Sequence, residues 1–178
     1  MTRKVRAPKA QLIAVDGVEA AAVLADARAV LGTPTQGGIS RWDASGVFQE
    51  LAVADETAGA PSARTLLLLY AADLAFRLRW QIRPALAEGR TVVAAPYVET
   101  AMAFGRAAGL DAAWLSNLFR FAPRARTRRF VHPQRGRRKT VRDGFVGFSC
   151  DRLAAGRPKQ ERQRMVEQTA AHLRRRDR

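Results

Sequence analysis

Scarcity sets the first bounds on this chain of 178 residues. It holds a single cysteine, Cys150, so no internal disulfide can staple it, and a reducing cytoplasm is the expected compartment. Its two histidines, His132 and His172, stand far apart and offer no metal-ligand cluster, so neither a metal nor another cofactor is expected. No Gly-x-Ser-x-Gly or similar nucleophile motif occurs. Apolar runs such as Leu66–Ala72 are far too short to span a bilayer, so no membrane association is expected. The basic start, Met1-Thr-Arg-Lys-Val-Arg6, lacks the following apolar run and small-residue cleavage site of a secretory signal.

Acidic residues are also few: 16 Asp and Glu stand against 31 Lys and Arg, a net charge of +15. Such a surface attracts polyanions, whether nucleic acid, nucleotide phosphates or an acidic protein. Between Arg120 and Arg142 there is no acid at all among ten cations. They are Arg120, Arg124, Arg126, Arg128 and Arg129, then Arg135, Arg137, Arg138, Lys139 and Arg142. From Arg124 onward these nine are the candidate contacts to nucleic acid or another polyanion. Phosphate attraction alone carries no sequence information, and a solvated face would read the same way.

What is present suits one domain over 1–178, with a basic N-terminal arm (1–10), the basic segment (120–142) and a basic tail (174–178). Gln11–Asp16 reads as a buried strand entering a turn, and Ala20–Leu31 as an alanine-rich helix stopped by Gly32-Thr-Pro34. Ile39–Trp42 reads as a short edge strand and Gly46–Ala54 as a helix. Ala63–Glu88 reads as one long helix, with Pro84 as a bend or new start and Gly89 as its end. Thr91–Ala95 is a second buried strand, followed by short helices at Glu99–Ala108 and Ala112–Phe119. Thr127–Val131 and Val141–Ser149 read as strands, and Pro158–Arg176 as a closing amphipathic helix. Strands alternating with helices define an α/β domain with a parallel sheet.

Taken in order, several segments resemble the thymidylate kinase family of P-loop nucleotide kinases. Leu12-Ile-Ala-Val-Asp-Gly-Val-Glu19 is similar to the family's first strand and the opening of its phosphate loop. Leu67–Leu86 resembles the long helix that ends in Ile-x-Pro-Ala-Leu, and Val92-Val-Ala-Ala-Pro-Tyr97 the strand and Asp-Arg-Tyr/His motif. Ala101–Gly105, Gly109–Leu115 and Phe121–Pro123 match the segments that follow, and Arg41-Trp-Asp43 the Arg-Phe/Glu-Pro motif. Asp151-Arg152-Leu153 faintly resembles the lid, and Arg162–Leu173 its following helix. The resemblance covers about Gln11 to Pro123. It implies a three-layer P-loop kinase-like fold with a parallel sheet, here without the family's last strand, and a homodimer.

The departures fall on the chemistry. Against Gly-x-x-Gly-x-Gly-Lys-Ser/Thr, the stretch Asp16, Gly17, Val18, Glu19, Ala20 keeps only the first glycine. Ala20 and Ala22 stand at the later glycines, Val23 at the lysine and Leu24 at the magnesium-holding hydroxyl. Ala95-Pro96 replaces the Asp-Arg pair, and Leu74 the nucleotide-contacting arginine. Because phosphoryl transfer rests on positioning and charge stabilisation, the resemblance minus these groups implies a thymidylate-kinase-like pseudoenzyme without a catalytic residue. Its remaining role would be weak nucleotide binding, regulation or scaffolding. The alternatives are a nucleic-acid-associated protein using its basic patch and a kinase with relocated catalytic groups. Arg41, Asp73, Arg77, Tyr97 and Phe104 are the candidates for a residual nucleotide pocket. The bland reading makes Asp73 and Arg77 a surface ion pair four residues apart, and Tyr97 and Phe104 core. The strand at Thr127–Val131 poses its own problem. Two adjacent arginines point to opposite faces, so it is expected either to shrink to Phe130-Val131 or to lie outside the resemblance.

Overall fold

The computed structural model describes residues 10–32, 37–58, 60–132 and 144–177. Four parallel strands form one sheet in the order β2-β3-β1-β4. They are β1 (Leu12–Gly17), β2 (Gly37–Arg41), β3 (Thr91–Ala95) and β4 (Thr127–Val131). β1 and β3 are central and buried on both faces, as expected for near-continuous apolar strands in a parallel sheet. In register, Ala14 lies beside Ala94 and Arg128, and Arg41 beside Ala95, so the strand ends gather along one carboxyl edge.

Alternation sorts the side chains of β1 into two cores. Ile13 and Val15 pack with Val93, Ala95, Val23 and Ala27 under α1 (Ala20–Leu31). Leu12 and Ala14 face the larger core formed with α3 (Ala63–Arg77), α5 (Val98–Ala107), α7 (Phe145–Leu153) and α8 (Lys159–Arg176). The remaining helices are α2 (Val47–Ala58), α4 (Arg83–Ala87) and α6 (Ala112–Leu118). Helices on both faces of a parallel sheet make a three-layer α/β sandwich.

The long helix expected over Ala63–Glu88 is continuous but changes pitch. α3 passes through a π-helical turn at Leu78–Ile82 into α4, which carries Pro84 in its first turn. A proline has no N–H and crowds the carbonyl four residues back, so a widened turn ahead of it lets the helix continue.

Two expectations need correction. The strand expected at Val141–Ser149 is a helix from Phe145 onward, residues 141–143 lying outside the described residues. Phe145, Val146, Ser149 and Cys150 are all buried, so the run is apolar on most sides, and periodicity alone does not separate such a helix from a buried strand. Burial also pushes the Cys150 thiol up to about 12, leaving it inert. β4, for its part, does not shrink: all five of its residues pair with β1. Its first three residues are exposed, and the two arginines find separate acids. Arg129 reaches Asp26 of α1 at 2.8 Å and Arg128 reaches Glu99 of α5 at 3.5 Å. An edge position removes the desolvation penalty that a central strand would impose.

Candidate functional site

In open α/β sheets ligands bind at the carboxyl edge of the strands, and a cleft of about 640 Å³ opens there. The end of β2, the Ala95-Pro96 step after β3, the start of α1 and Phe148 of α7 form its walls.

One wall is the β1–α1 corner. A phosphate loop of the form G-x-x-x-x-G-K-S/T needs several non-helical residues whose N–H groups wrap the phosphates. Here Val18 and Glu19 alone join strand to helix, and α1 already begins at Ala20. The Val23 N–H is spent inside the helix, donating to the Glu19 carbonyl at 3.0 Å. The Val23 side chain folds back on the strand, where a Cβ at Gly17 would sit 2.7 Å from it and 2.9 Å from the Val131 carbonyl. Only glycine admits that approach. Val23 is buried, and Leu24 beside it presents its apolar side chain to the cleft. The start of α7 closes over the same corner: a Cβ at Gly144 would meet the Ala20 Cβ at 2.7 Å.

The polar groups of the corner turn inward. Oδ1 of Asp16 accepts from the Tyr97 N–H at 2.9 Å, the Thr100 N–H at 3.0 Å and the Thr100 hydroxyl at 2.7 Å. The Gly17 N–H donates to Thr100 Oγ1 at 3.1 Å. Burial raises the Asp16 carboxyl to about 6, against the pull of these hydrogen bonds. Asp16 borders a second, smaller cavity of about 100 Å³ between α5 and β4, which Tyr97, Glu99, Arg124 and Arg128 also line.

The opposite wall rests on Asp73 and Arg77. The surface ion pair expected of them is overturned: both side chains are fully buried, with Arg77 Nε 3.0 Å from Asp73 Oδ2. That contact is a charge attraction without a well-aligned N–H···O bond. Arg77 Nη1 donates to the Pro96 carbonyl at 2.9 Å and to the Ser40 carbonyl at 3.5 Å, so it ties the ends of β2 and β3 together. Asp73 accepts from the Asp43 N–H at 3.2 Å, the Ser45 N–H at 3.0 Å and the Ser45 hydroxyl at 2.9 Å. These bonds hold Asp43 in the left-handed region, with a φ of 60°, which Asp tolerates better than most residues. The Asp43 carboxylate in turn accepts from Phe48 N–H and Gln49 N–H at the start of α2.

The five candidates for a nucleotide pocket are thus dispersed. Arg41 stands exposed at the cleft, while Asp73 and Arg77 brace it from below. Tyr97 is buried toward the smaller cavity, its hydroxyl donating to the Pro123 carbonyl at 2.7 Å. Phe104 is core, packed edge-on against Phe145 at 5.2 Å. Arg41 lines the larger cleft and Tyr97 the smaller cavity, while Phe104 is fully buried. Leu74 is core as well. Of the basic patch, Arg124, Arg126, Arg128 and Arg129 are exposed, whereas Arg135, Arg137, Arg138, Lys139 and Arg142 lie outside the described residues, as do residues 1–9 of the arm and Arg178 of the tail. Thr100, Ser45, Ser40 and Gln81 escaped sequence reasoning. Each is an uncharged polar residue whose partner lies 28 to 84 positions away, and no local pattern signals such a bond.

Comparison with known proteins agrees with this architecture. The fold is that of thymidylate kinase from Ehrlichia chaffeensis, with a TM-score of 0.59 over 70% of this chain and 72% of that one, at 13% identity. A segment of 57 residues is 44% identical to a probable thymidylate kinase of Pyrococcus horikoshii, and equally to one of Thermococcus gammatolerans. That segment is 32% of this chain but only 28% and 27% of those two proteins. No family model matches the chain. The chain is therefore related to thymidylate kinases over part of its length and shares their fold. Among the described residues no helix is long and apolar enough to cross a membrane.

Proposed function

We propose that this chain is a cytoplasmic thymidylate-kinase-like protein that has given up phosphoryl transfer and works as a binding or scaffolding module. The observation that carries this reading is the β1–α1 corner. A two-residue turn leads straight into helix, and in the resemblance Val23 and Leu24 stand at the places of the phosphate-neutralising lysine and the metal-holding hydroxyl. A magnesium nucleotide does not fit these residues. Asp16, the acid at the end of β1, is buried with three donors on its Oδ1, Leu24 offers no oxygen, and Ala95 carries no carboxylate. Homodimerisation belongs to the same reading. Leu68, Ala72, Phe76 and Trp80, spaced four apart, form an exposed row along α3 and its π-helical turn, with Trp80 64% exposed.

The test is a coupled assay of phosphate transfer from ATP to dTMP with magnesium, on the full chain. The expected rate equals that of a blank without protein; magnesium-dependent turnover above it would overturn the reading in favour of a kinase with relocated groups.

A second reading, association with nucleic acid, draws on the exposed arginines of the 124–129 segment. Arg124 and Arg126 make no ion pair among the described residues. If DNA or RNA is bound, affinity should fall steeply with salt, by about 0.9 in log K per unit of log salt for each duplex phosphate contacted.

A further inference from the structure

We infer that the cleft at the carboxyl edge of the sheet binds a planar aromatic monoanion, such as an aryl carboxylate, in place of a nucleotide. The inference rests on the reading above, that the corner no longer holds phosphates, and adds what the same space would accept.

At about 640 Å³ the cleft is the size of an ordinary small-molecule site. Its walls are mostly apolar, with Leu24, Ile39 and Pro96 around the paired rings of Trp42 and Phe148, whose centroids lie 5.8 Å apart at 62°. Flat aromatic ligands suit such walls, since rings stack or meet edge to face at these separations.

Charge then selects among aromatic ligands. Two charged side chains line the cleft among the described residues, Arg41 and Asp43. Both carboxylate oxygens of Asp43 are engaged by N–H groups at the start of α2, where the helix dipole balances a negative charge. Arg41 is exposed and makes no hydrogen bond or ion pair among the described residues. The Gln81 Oε1 accepts from the Ser40 hydroxyl at 2.8 Å, which leaves its amide NH₂ as a neutral donor. One guanidinium neutralises one carboxylate, by a paired contact that its fork geometry favours. A di- or triphosphate would bring several charges into a cleft whose described residues offer a single free cation and mostly apolar walls, and that desolvation is costly.

The Asp73–Arg77 brace gives the cleft a fixed width. Arg77 binds the carbonyls of both Ser40 and Pro96, and Asp73 holds the backbone of Asp43. A site whose walls are already positioned avoids the cost of ordering them on binding.

The experiment is titration calorimetry of the full chain with 2-naphthoate, and with its neutral counterpart 2-naphthol, beside magnesium ATP and dTMP. The expected result is one saturable naphthoate site per chain and no heat from either nucleotide. Arg41→Gln should weaken naphthoate about tenfold and leave naphthol nearly unchanged, because only the charged contact is removed. Leu24→Asp should weaken both by about tenfold or more, since it places a charge in the apolar wall. Arg41 is exposed, so its variant keeps the fold even where the Leu24 variant is damaged. No naphthoate binding at about 1 mM would overturn the inference and leave the non-kinase reading standing. Binding insensitive to Arg41→Gln would also overturn it. Nucleotide binding with turnover would instead overturn the non-kinase reading, and this one with it.

Discussion

Two corners of the sheet face the same cleft with opposite chemistry. At the β1–α1 corner the cleft meets alanine, valine and leucine, and the Asp16 carboxylate and Gly17 N–H are turned inward onto Thr100 and Tyr97. At the β2–β3 corner a buried guanidinium and carboxylate remain, and almost every bond they make ends on backbone or a short side chain close to the cleft. The first corner is ordinary helix and core. The second holds a polar network in which removing one partner would leave the other charged and buried. Losing a charge costs little at an exposed position and much inside such a bracing network.

The largest effect should come from cutting that network. Asp73→Ala leaves Arg77 charged without its partner at full burial and should destabilise the fold by about 3–5 kcal/mol. Urea unfolding measures this; a loss below about 1 kcal/mol would mean that the network does not hold the β2–β3 corner.

The inward-turned corner carries a smaller, pH-dependent penalty. The Asp16 carboxyl ordinarily titrates at 3.8 and is raised to about 6 in the fold. Between those values the native state binds more protons than the unfolded one, so stability from this group falls as pH rises through the window. The full difference is about 3 kcal/mol. Asp16→Asn keeps an acceptor for the Tyr97 and Thr100 donors and removes the charge. The variant should gain on wild type at pH 7 and lose that advantage near pH 4. An unchanged slope between pH 4 and 6 would show that another group is responsible.

Surface charge should matter least to the fold. The Arg129–Asp26 pair is solvent-exposed on the arginine side, although it holds the Asp26 carboxyl below its usual range. Arg129→Ala should cost less than about 1 kcal/mol. A larger loss in thermal melts would make this pair a clamp between β4 and α1.

The smallest effect is none. Magnesium ATP at concentrations that saturate ordinary kinases should leave the melting temperature unchanged, whereas naphthoate should raise it. A clear shift with ATP would restore phosphate binding to the β1–α1 corner.

Much of the architecture was legible. Helix α1 spans Ala20–Leu31 as expected, because an alanine-rich run without breakers has one regular conformation, and β3 ends where Pro96 interrupts it. β4 also runs Thr127–Val131, but what admits its two arginines to the sheet is not local: Asp26 lies 103 positions from Arg129. The spacing of Asp73 and Arg77 is the same whether solvent or protein covers them; their burial depends on Ser40, Ser45 and Pro96, none nearby in sequence. The strand expected at Val141–Ser149 is a helix from Phe145 onward, because an apolar run buried on most sides shows no period.

By itself the sequence determined the alternation of strands and helices, the excess of positive charge, and the absence of a lysine and hydroxyl in the β1–α1 segment. These are properties of residue order and type, and no folding changes them. Tertiary structure alone decided that the segment is a two-residue turn without a phosphate cradle, that Arg41 is exposed while Tyr97 and Phe104 are buried, and that Arg77 joins two strand ends. Those outcomes depend on which distant groups meet in the packed core, where an unmatched charge or donor is too costly to leave.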